Sequence, residues 1–196
     1  MIVYLHGFNS SPQSHKARHF AAWLKGRGLA NQFACPALPH FPDDAIRVAE
    51  AAMGGQGAEY VTFVGSSLGG FYATYLAEKH GARAVLINPA IDPHIGLRAY
   101  LGRQRNLYSG VEYELTEWHL SAWAAQFIET LHMERYWLLV ETGDEVLDYQ
   151  KAVERYRGAR QCVIEGGDHA LQSFPEYLSE IVEFARMGPC AHQHRL

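Results

Sequence analysis

Apolar residues along the chain follow two alternating rhythms. Short runs of β-branched, aromatic and aliphatic residues occupy positions 2–5, 33–37, 60–64, 84–88, 137–141 and 161–164. Several are apolar throughout rather than at every second position, the pattern of parallel strands covered on both faces. Between the runs, apolar residues return every three or four positions. Ala17, Phe20, Ala21 and Leu24 form one helical stripe, with Ser14 as N-cap and Gly26 or Gly28 as stop signals. Ala45, Ile46, Ala49, Ala52 and Met53 form a second after Pro42-Asp43, and Leu68, Tyr72, Tyr75 and Leu76 a third that ends at Gly81. Leu178, Ile181, Val182 and Ala185 form the last, behind Ser173 and Glu176, which are spaced as a capping box. Strand–helix alternation of this kind builds right-handed βαβ units on a parallel sheet.

One segment breaks the rhythm. Residues 92–134 are rich in aromatics and predicted to be mostly helical, and they stand between two strands. An insertion of that size in a compact domain is usually functional, the alternative being an extra packing layer. Residues 188–196 carry no apolar pattern and are expected to fray. The 196 residues have room for one domain with a sizeable core, over the whole of 1–196. A composition 48% hydrophobic and 19% charged is that of a globular protein, with no apolar run of bilayer length and no stable membrane association expected. A net charge of −4 offers nothing to nucleic acid, and the Lys16/Arg18 and Lys25/Arg27 pairs read as solvated helix faces. Cys35, Cys162 and Cys190 are odd in number and widely spaced, which fits a reducing compartment. Met1 leads straight into Ile2-Val3-Tyr4-Leu5 without the basic and long apolar regions of a secretory leader, so a cytoplasmic setting is the expectation. Oligomeric state is not legible.

The candidate chemistry begins at Gly65-Ser66-Ser67-Leu68-Gly69, a G-x-S-x-G pattern with a strand before it and a helix after it. A serine on such a turn adopts a strained backbone, small neighbours leave room for it, and the helix N-terminus offers unpaired N–H groups to a developing anion. A phosphate-binding turn fits less well: neither G-x-x-x-x-G-K-[ST] nor G-x-G-x-x-G is present. On the motif alone, a plain turn is as good a reading. Ser66 lacks the glycine spacing and suits a structural or substrate-contacting hydroxyl. A serine nucleophile needs a base, and the base an orienting acid, on later loops in the order Ser, Asp, His. Asp144 follows the strand at 137–141 in Thr142-Gly143-Asp144-Glu145, and His169 follows the strand at 161–164 in Glu165-Gly166-Gly167-Asp168-His169. Glu145 is expected to point elsewhere, Asp148 to cap the next helix, and Asp168 to stabilise its own loop. His6-Gly7-Phe8 ends the first strand; the Phe8 and Leu68 N–H groups are the candidate oxyanion donors, with the His6 side chain tying the loop to backbone. His15 and His19 lack the glutamate of H-E-x-x-H, and His192 and His194 lie in the tail, so no metal is expected.

With these residues in view, the chain resembles the α/β-hydrolase superfamily, and more closely the small bacterial YqiA-like esterase family. The stretches that carry the resemblance are YLHGFNSSP at 4–12, VGSSLGG at 64–70, NPA at 88–90, TGDEVLDY at 142–149 and IEGGDHA at 164–170. The resemblance implies a three-layer α/β fold, with about six mainly parallel strands in the order 2-1-3-4-5-6, helices on both faces and a short helical insert near the site. The first two strands usual in that fold would be missing. It also implies a Ser67–Asp144–His169 triad that hydrolyses small acyl esters, including thioesters such as acyl-CoA, without a cofactor. The insert, Phe8 and the turn at 40–42 are expected to shape the substrate pocket, with His6, Phe41, Tyr108, Trp118 and Trp123 as candidate walls, although each aromatic also suits the core. Rival readings are a non-catalytic binding protein on the same fold, or an acyltransferase or peptidase using the same three residues.

Overall fold

The computed structural model describes residues 1–186; the frayed end expected at 188–196, with Cys190, His192 and His194, lies outside the described residues. Among them the strands are β1 (Ile2–Leu5), β2 (Phe33–Ala34), β3 (Thr62–Ser66), β4 (Arg83–Ile87), β5 (Gly102–Arg105), β6 (Glu112–Leu115), β7 (Tyr136–Glu141) and β8 (Arg160–Ile164). Six of these form one parallel sheet in the order β2-β1-β3-β4-β7-β8, while β5 and β6 pair antiparallel on their own. With the insert's two strands set aside, this is the order 2-1-3-4-5-6. The helices are α1 (His15–Lys25), α2 (Pro42–Ala51), α3 (Leu68–His80), α4 (Pro93–Gly96), α5 (Glu117–Ala125), α6 (Tyr149–Arg155) and α7 (Phe174–Arg186).

Successive strand side chains enter two separate cores, which is why the strands read as continuous apolar runs. Val3, Leu5, Phe63, Leu86 and Leu138 pack with α2, α3 and α5 on one face. Tyr4, Val64, Val85, Trp137 and Leu139 pack with Phe20, Leu24, Leu178 and Ile181 of α1 and α7 on the other. Each fully buried aliphatic or aromatic side chain contributes about 1.5–3 kcal/mol. The expected stripes of α1 and α2 are the buried ones: Ala17, Phe20 and Leu24, then Ala45, Ile46 and Ala49. In contrast, α3 is buried on nearly every side from Leu68 to Ala77. It lies on β1, β3 and β4 while α2, Trp123 of the insert and Tyr156 pack on its other sides, so no narrow stripe remains.

Several local expectations are corrected. The third strand starts at Thr62 rather than 60, because Tyr60 sits exposed in a 3₁₀ turn. The second is two residues long, because it pairs only with Ile2 and Val3 at the sheet's edge. Ser14 holds the N-cap position of α1, but its side chain makes no capping bond. The reciprocal bond of a Ser173–Glu176 capping box is replaced: the Ser173 N–H donates to Glu141 Oε1 at 2.9 Å, and its hydroxyl to the same oxygen at 2.7 Å. The insert, expected to be helical, contains the β5–β6 hairpin between α4 and α5. Its turn is closed by Asn106, whose Oδ1 accepts the N–H groups of Tyr108 and Ser109 at 2.9 Å each. The alternation of half-buried and exposed residues along β5 is the period-2 signal that marks a strand.

Candidate active site

β3 runs into α3 with a single residue between them, and that residue is Ser67. It has φ +55° and ψ −122°, a conformation that costs a non-glycine residue about 1–3 kcal/mol. Its neighbours explain how the chain tolerates the turn. A methyl group on Gly65 would overlap the carbonyl of Gly69, and one on Gly69 would overlap the carbonyl of Leu5. Gly7 crosses directly above the serine: a Cβ there would lie 3.2 Å from Ser67 Cβ and 3.7 Å from Oγ. Ser67 Oγ therefore projects at the carboxyl edge of the sheet, beside the 6–9 loop and the first N–H groups of α3. The N–H of Leu68, at the first helical position, has no acceptor within the helix.

The loop after β7 carries Asp144 and the loop after β8 carries His169. His169 Nε2 lies 3.1 Å from Ser67 Oγ, and Nδ1 lies 2.8 Å and 3.0 Å from the two carboxylate oxygens of Asp144. The Asp144 side chain is 1% exposed, and its Oδ1 also accepts the N–H groups of Val146 and Leu147 at 2.9 and 2.8 Å. An ionised carboxylate only accepts, so the imidazole presents its Nδ1 proton to Asp144 and its Nε2 lone pair to the serine.

The histidine loop is itself held by further side chains. Glu141, the last residue of β7, is buried, and its carboxylate accepts the N–H groups of Asp168, Gln172 and Ser173 at 2.8–2.9 Å together with the Ser173 hydroxyl. Burial alone would raise its pKa, but these donors outweigh it and hold the carboxyl below its ordinary value. Asn88 Nδ2 donates to the carbonyls of Asp168 (3.0 Å) and His169 (3.2 Å), while its Oδ1 accepts the Glu141 N–H at 3.0 Å. Glu145, expected to point elsewhere, accepts the His169 N–H at 3.0 Å. Lys16, read as part of a solvated face, donates to the Ala170 carbonyl at 2.7 Å. Burial brings its pKa down to about 8, against the pull of Asp168, Glu141 and Asp144. One signal was available for Glu141: a carboxylate ending an otherwise apolar, fully covered strand must be buried and needs donors. Asp168 bonds within its own loop, to the Ala170 N–H and the Gln172 side chain, and Asp148 caps α6 through the Gln150 N–H.

A cavity of about 1140 Å³ opens above Ser67. His6 and Tyr108 border it. The His6 ring is occupied, accepting the Leu38 N–H at Nε2 (3.0 Å) and facing the Gly7 carbonyl from Nδ1 (3.1 Å), and burial lowers its pKa. Three of the expected walls stand elsewhere. Trp123 is buried in the core and donates to the Tyr72 hydroxyl at 2.8 Å; Phe41 and Trp118 pack edge to face at 5.2 Å, with Phe41 stacked on His119. The reason is that α5 packs onto α2, where Gln126 donates to Asp43 at 2.9 Å, and these rings are taken up there or in the core and do not line the cavity. Phe8, expected as a wall, does line the cavity, and its other apolar lining includes Ile91, Leu97, Leu107 and Val146. Ser66 is buried beside Tyr4 and also borders the cavity. Among the described residues, no group of three or more His, Cys, Asp or Glu side chains is arranged to hold a metal ion, and no helix is long and apolar enough to cross a membrane.

Residues 1–186 match the model of a family described as "Uncharacterised protein family (UPF0227)". Among solved structures, the chain is similar to a putative hydrolase from Agrobacterium vitis S4, at 19% identity and a TM-score of 0.73, covering 94% of this chain and 87% of that one. It is also similar to the mouse α/β-hydrolase domain-containing protein 10, at 16% identity and a TM-score of 0.69 over 93% and 88% of the two chains. A monoacylglycerol lipase from Paleococcus ferrophilus aligns at 16% identity with a TM-score of 0.64, over 94% and 93%. At these identities the likeness establishes the fold, which is that of the α/β-hydrolases.

Proposed function

Because the chain belongs to the UPF0227 family and has the α/β-hydrolase fold, we propose that it is a serine hydrolase of carboxylic esters, with thioesters open to the same route. Ser67 is the nucleophile, His169 the general base and Asp144 the orienting acid. The observation that carries the reading is the continuous hydrogen-bond chain from Asp144 through His169 to a serine held at φ +55°. A serine, a base at 3.1 Å and a buried carboxylate on its far nitrogen are what acyl transfer requires.

His169 Nε2 takes the Ser67 hydroxyl proton as Oγ attacks the acyl carbonyl carbon. Asp144 keeps the imidazole in the tautomer that accepts this proton and stabilises the imidazolium that results. The N–H groups of Phe8 and Leu68 receive the oxyanion; losing one such donor costs about 3–4 kcal/mol in other hydrolases. When the tetrahedral intermediate collapses, the proton on Nε2 passes to the departing alkoxide or thiolate. Water then enters, gives a proton to His169 and attacks the acyl-enzyme; as the C–Oγ bond breaks, the proton on Nε2 returns to Ser67 Oγ and the acid leaves. The apolar walls support an acyl chain or aryl group, and the lipase among the similar structures lends support to an ester.

The test is labelling of the full chain by a fluorophosphonate probe together with a panel of nitrophenyl esters, acyl thioesters and peptides. The expected result is covalent labelling at Ser67 and ester turnover that falls about 10⁴-fold or more in Ser67→Ala. Labelling or turnover that survives in Ser67→Ala removes Ser67 as nucleophile. A wild-type chain inert to both probe and panel is a binding protein, and preference for an amine or alcohol acceptor over water makes it a transferase.

A further inference from the structure

The insert meets the oxyanion loop at one place, where hydrogen bonds cross a sequence gap of about a hundred residues. Asn9, immediately after Phe8, has left-handed backbone with φ +50°. Its Nδ2 donates to Gln104 Oε1 at 3.2 Å, and its Oδ1 accepts the Tyr113 hydroxyl at 2.7 Å. Its carbonyl accepts the Leu107 N–H at 3.1 Å, and the next carbonyl, that of Ser10, accepts Asn106 Nδ2 at 2.8 Å. These bonds come from both strands of the β5–β6 hairpin and from its turn. The Phe8 ring also packs edge-on against Tyr100 of the insert, at 6.2 Å. Leu107 and Tyr108, at the tip of the hairpin, form part of the cavity wall above Ser67.

We propose that the hairpin is a brace for the oxyanion loop, with Asn9 and Tyr113 as positioning residues, and that it couples filling of the acyl cavity to placement of the Phe8 N–H. The proposal rests on the ester-hydrolase reading above and on Phe8 as an oxyanion donor. Leu107 links the two ends: it borders the cavity with its side chain open to an occupant, 83% exposed, and its N–H donates to the Asn9 carbonyl. A chain lying against Leu107 and Tyr108 restrains the hairpin, and through the hydrogen bonds restrains residues 8–10. An oxyanion donor works only when held about 2.7–3.1 Å from the charge, and a misplacement of about 1 Å can cost about 10²-fold in rate. Contact energy from a remote part of the substrate is thereby expressed in kcat and not only in binding. Longer acyl chains are turned over faster, beyond being bound more tightly.

The test uses the full chain with p-nitrophenyl esters from acetyl to decanoyl, comparing wild type with Tyr113→Phe and Asn9→Gly. Tyr113→Phe removes one hydroxyl and keeps the ring that stacks on His40 at 4.2 Å, and Asn9→Gly keeps the left-handed backbone. In the wild type, kcat is expected to rise about tenfold across the series. In both variants that rise flattens, with kcat for the long esters down about three- to tenfold, while KM still falls with chain length because the apolar wall is intact. Affinity for a trifluoromethyl ketone, whose serine adduct carries the oxyanion, should fall in parallel with kcat/KM. Acylation and deacylation both use the oxyanion donors, so the result holds whichever step is slower. A wild-type kcat independent of chain length overturns the proposal, as does a variant that keeps the wild-type rise. Failure of the underlying hydrolase reading is distinct: the wild type would then show no turnover dependent on Ser67 for any ester.

Discussion

At the scale of single residues, the site depends on groups that hold as much as on groups that react. Ser67 carries its strain because Gly65, Gly69 and the Gly7 backbone leave no other path for the chain. Alanine at 67 meets the same φ, so Ser67→Ala is expected to melt within a few degrees of wild type while losing turnover; Ser66→Ala, without the bond to His169, should retain most of it. Glu141 makes a sharper prediction. In Glu141→Gln the new NH₂ faces N–H donors whichever way the amide is turned: those of Asp168 and Gln172 in one orientation, that of Ser173 in the other. At least one buried N–H loses its acceptor, at about 1–3 kcal/mol. A melting temperature lowered by several degrees and a kcat reduced about tenfold, with KM little changed, are expected. Calorimetry and steady-state kinetics on the same preparation check both, and an unchanged kcat would confine Glu141 to stability.

At the scale of elements, the strand–helix corner at 65–70 is where the fold tolerates least change. β1, β3 and the first turn of α3 approach so closely that glycine is the only residue without a clash at 65 and 69. Gly69→Ala is expected to destabilise the protein by about 3 kcal/mol or to prevent folding, because the displaced atoms are backbone carbonyls and not the ends of mobile side chains. Thermal denaturation followed by circular dichroism measures this, and a shift under about 1 kcal/mol would mean that the corner relaxes. The insert divides its roles: α5 contributes Leu120 and Trp123 to the core, while the hairpin between α4 and α5 reaches the cavity.

At the scale of the whole molecule, two cores on one sheet bury an unusual set of phenols. Burial drives the pKa of Tyr4, Tyr72 and Tyr136 up, and takes Tyr113 and Tyr156 up to about 12. Because these values lie above those of the unfolded chain, near 10, the unfolded state loses its phenolic protons first. The stabilisation is complete below pH 10 and is lost as the pH rises from 10 towards 12. Urea midpoints measured across that window should fall steadily, and Tyr156→Phe should fall less steeply than wild type. A midpoint flat to pH 12 would contradict this account.

The pattern of residues along the chain was enough to determine the parallel sheet, most of the helices and the identity of the strand–helix turn at Ser67, while the strand order came from the resemblance to the α/β-hydrolases. The first three follow from periodicity, turn chemistry and the handedness of βαβ connections, all of which act over short stretches of sequence. It also singled out Asp144 and His169, because loops at the carboxyl ends of later strands must gather on one rim. Tertiary structure alone decided which apolar side chains meet the cavity, leaving Phe41, Trp118 and Trp123 out and bringing in Leu107 and Val146. It also decided that Glu141 holds the Asp168 N–H, Tyr113 the Asn9 side chain and Lys16 the Ala170 carbonyl, across 27, 104 and 154 positions. Such pairs leave no periodic trace, because each partner's local pattern is satisfied in many ways and only packing of the distant segments selects one.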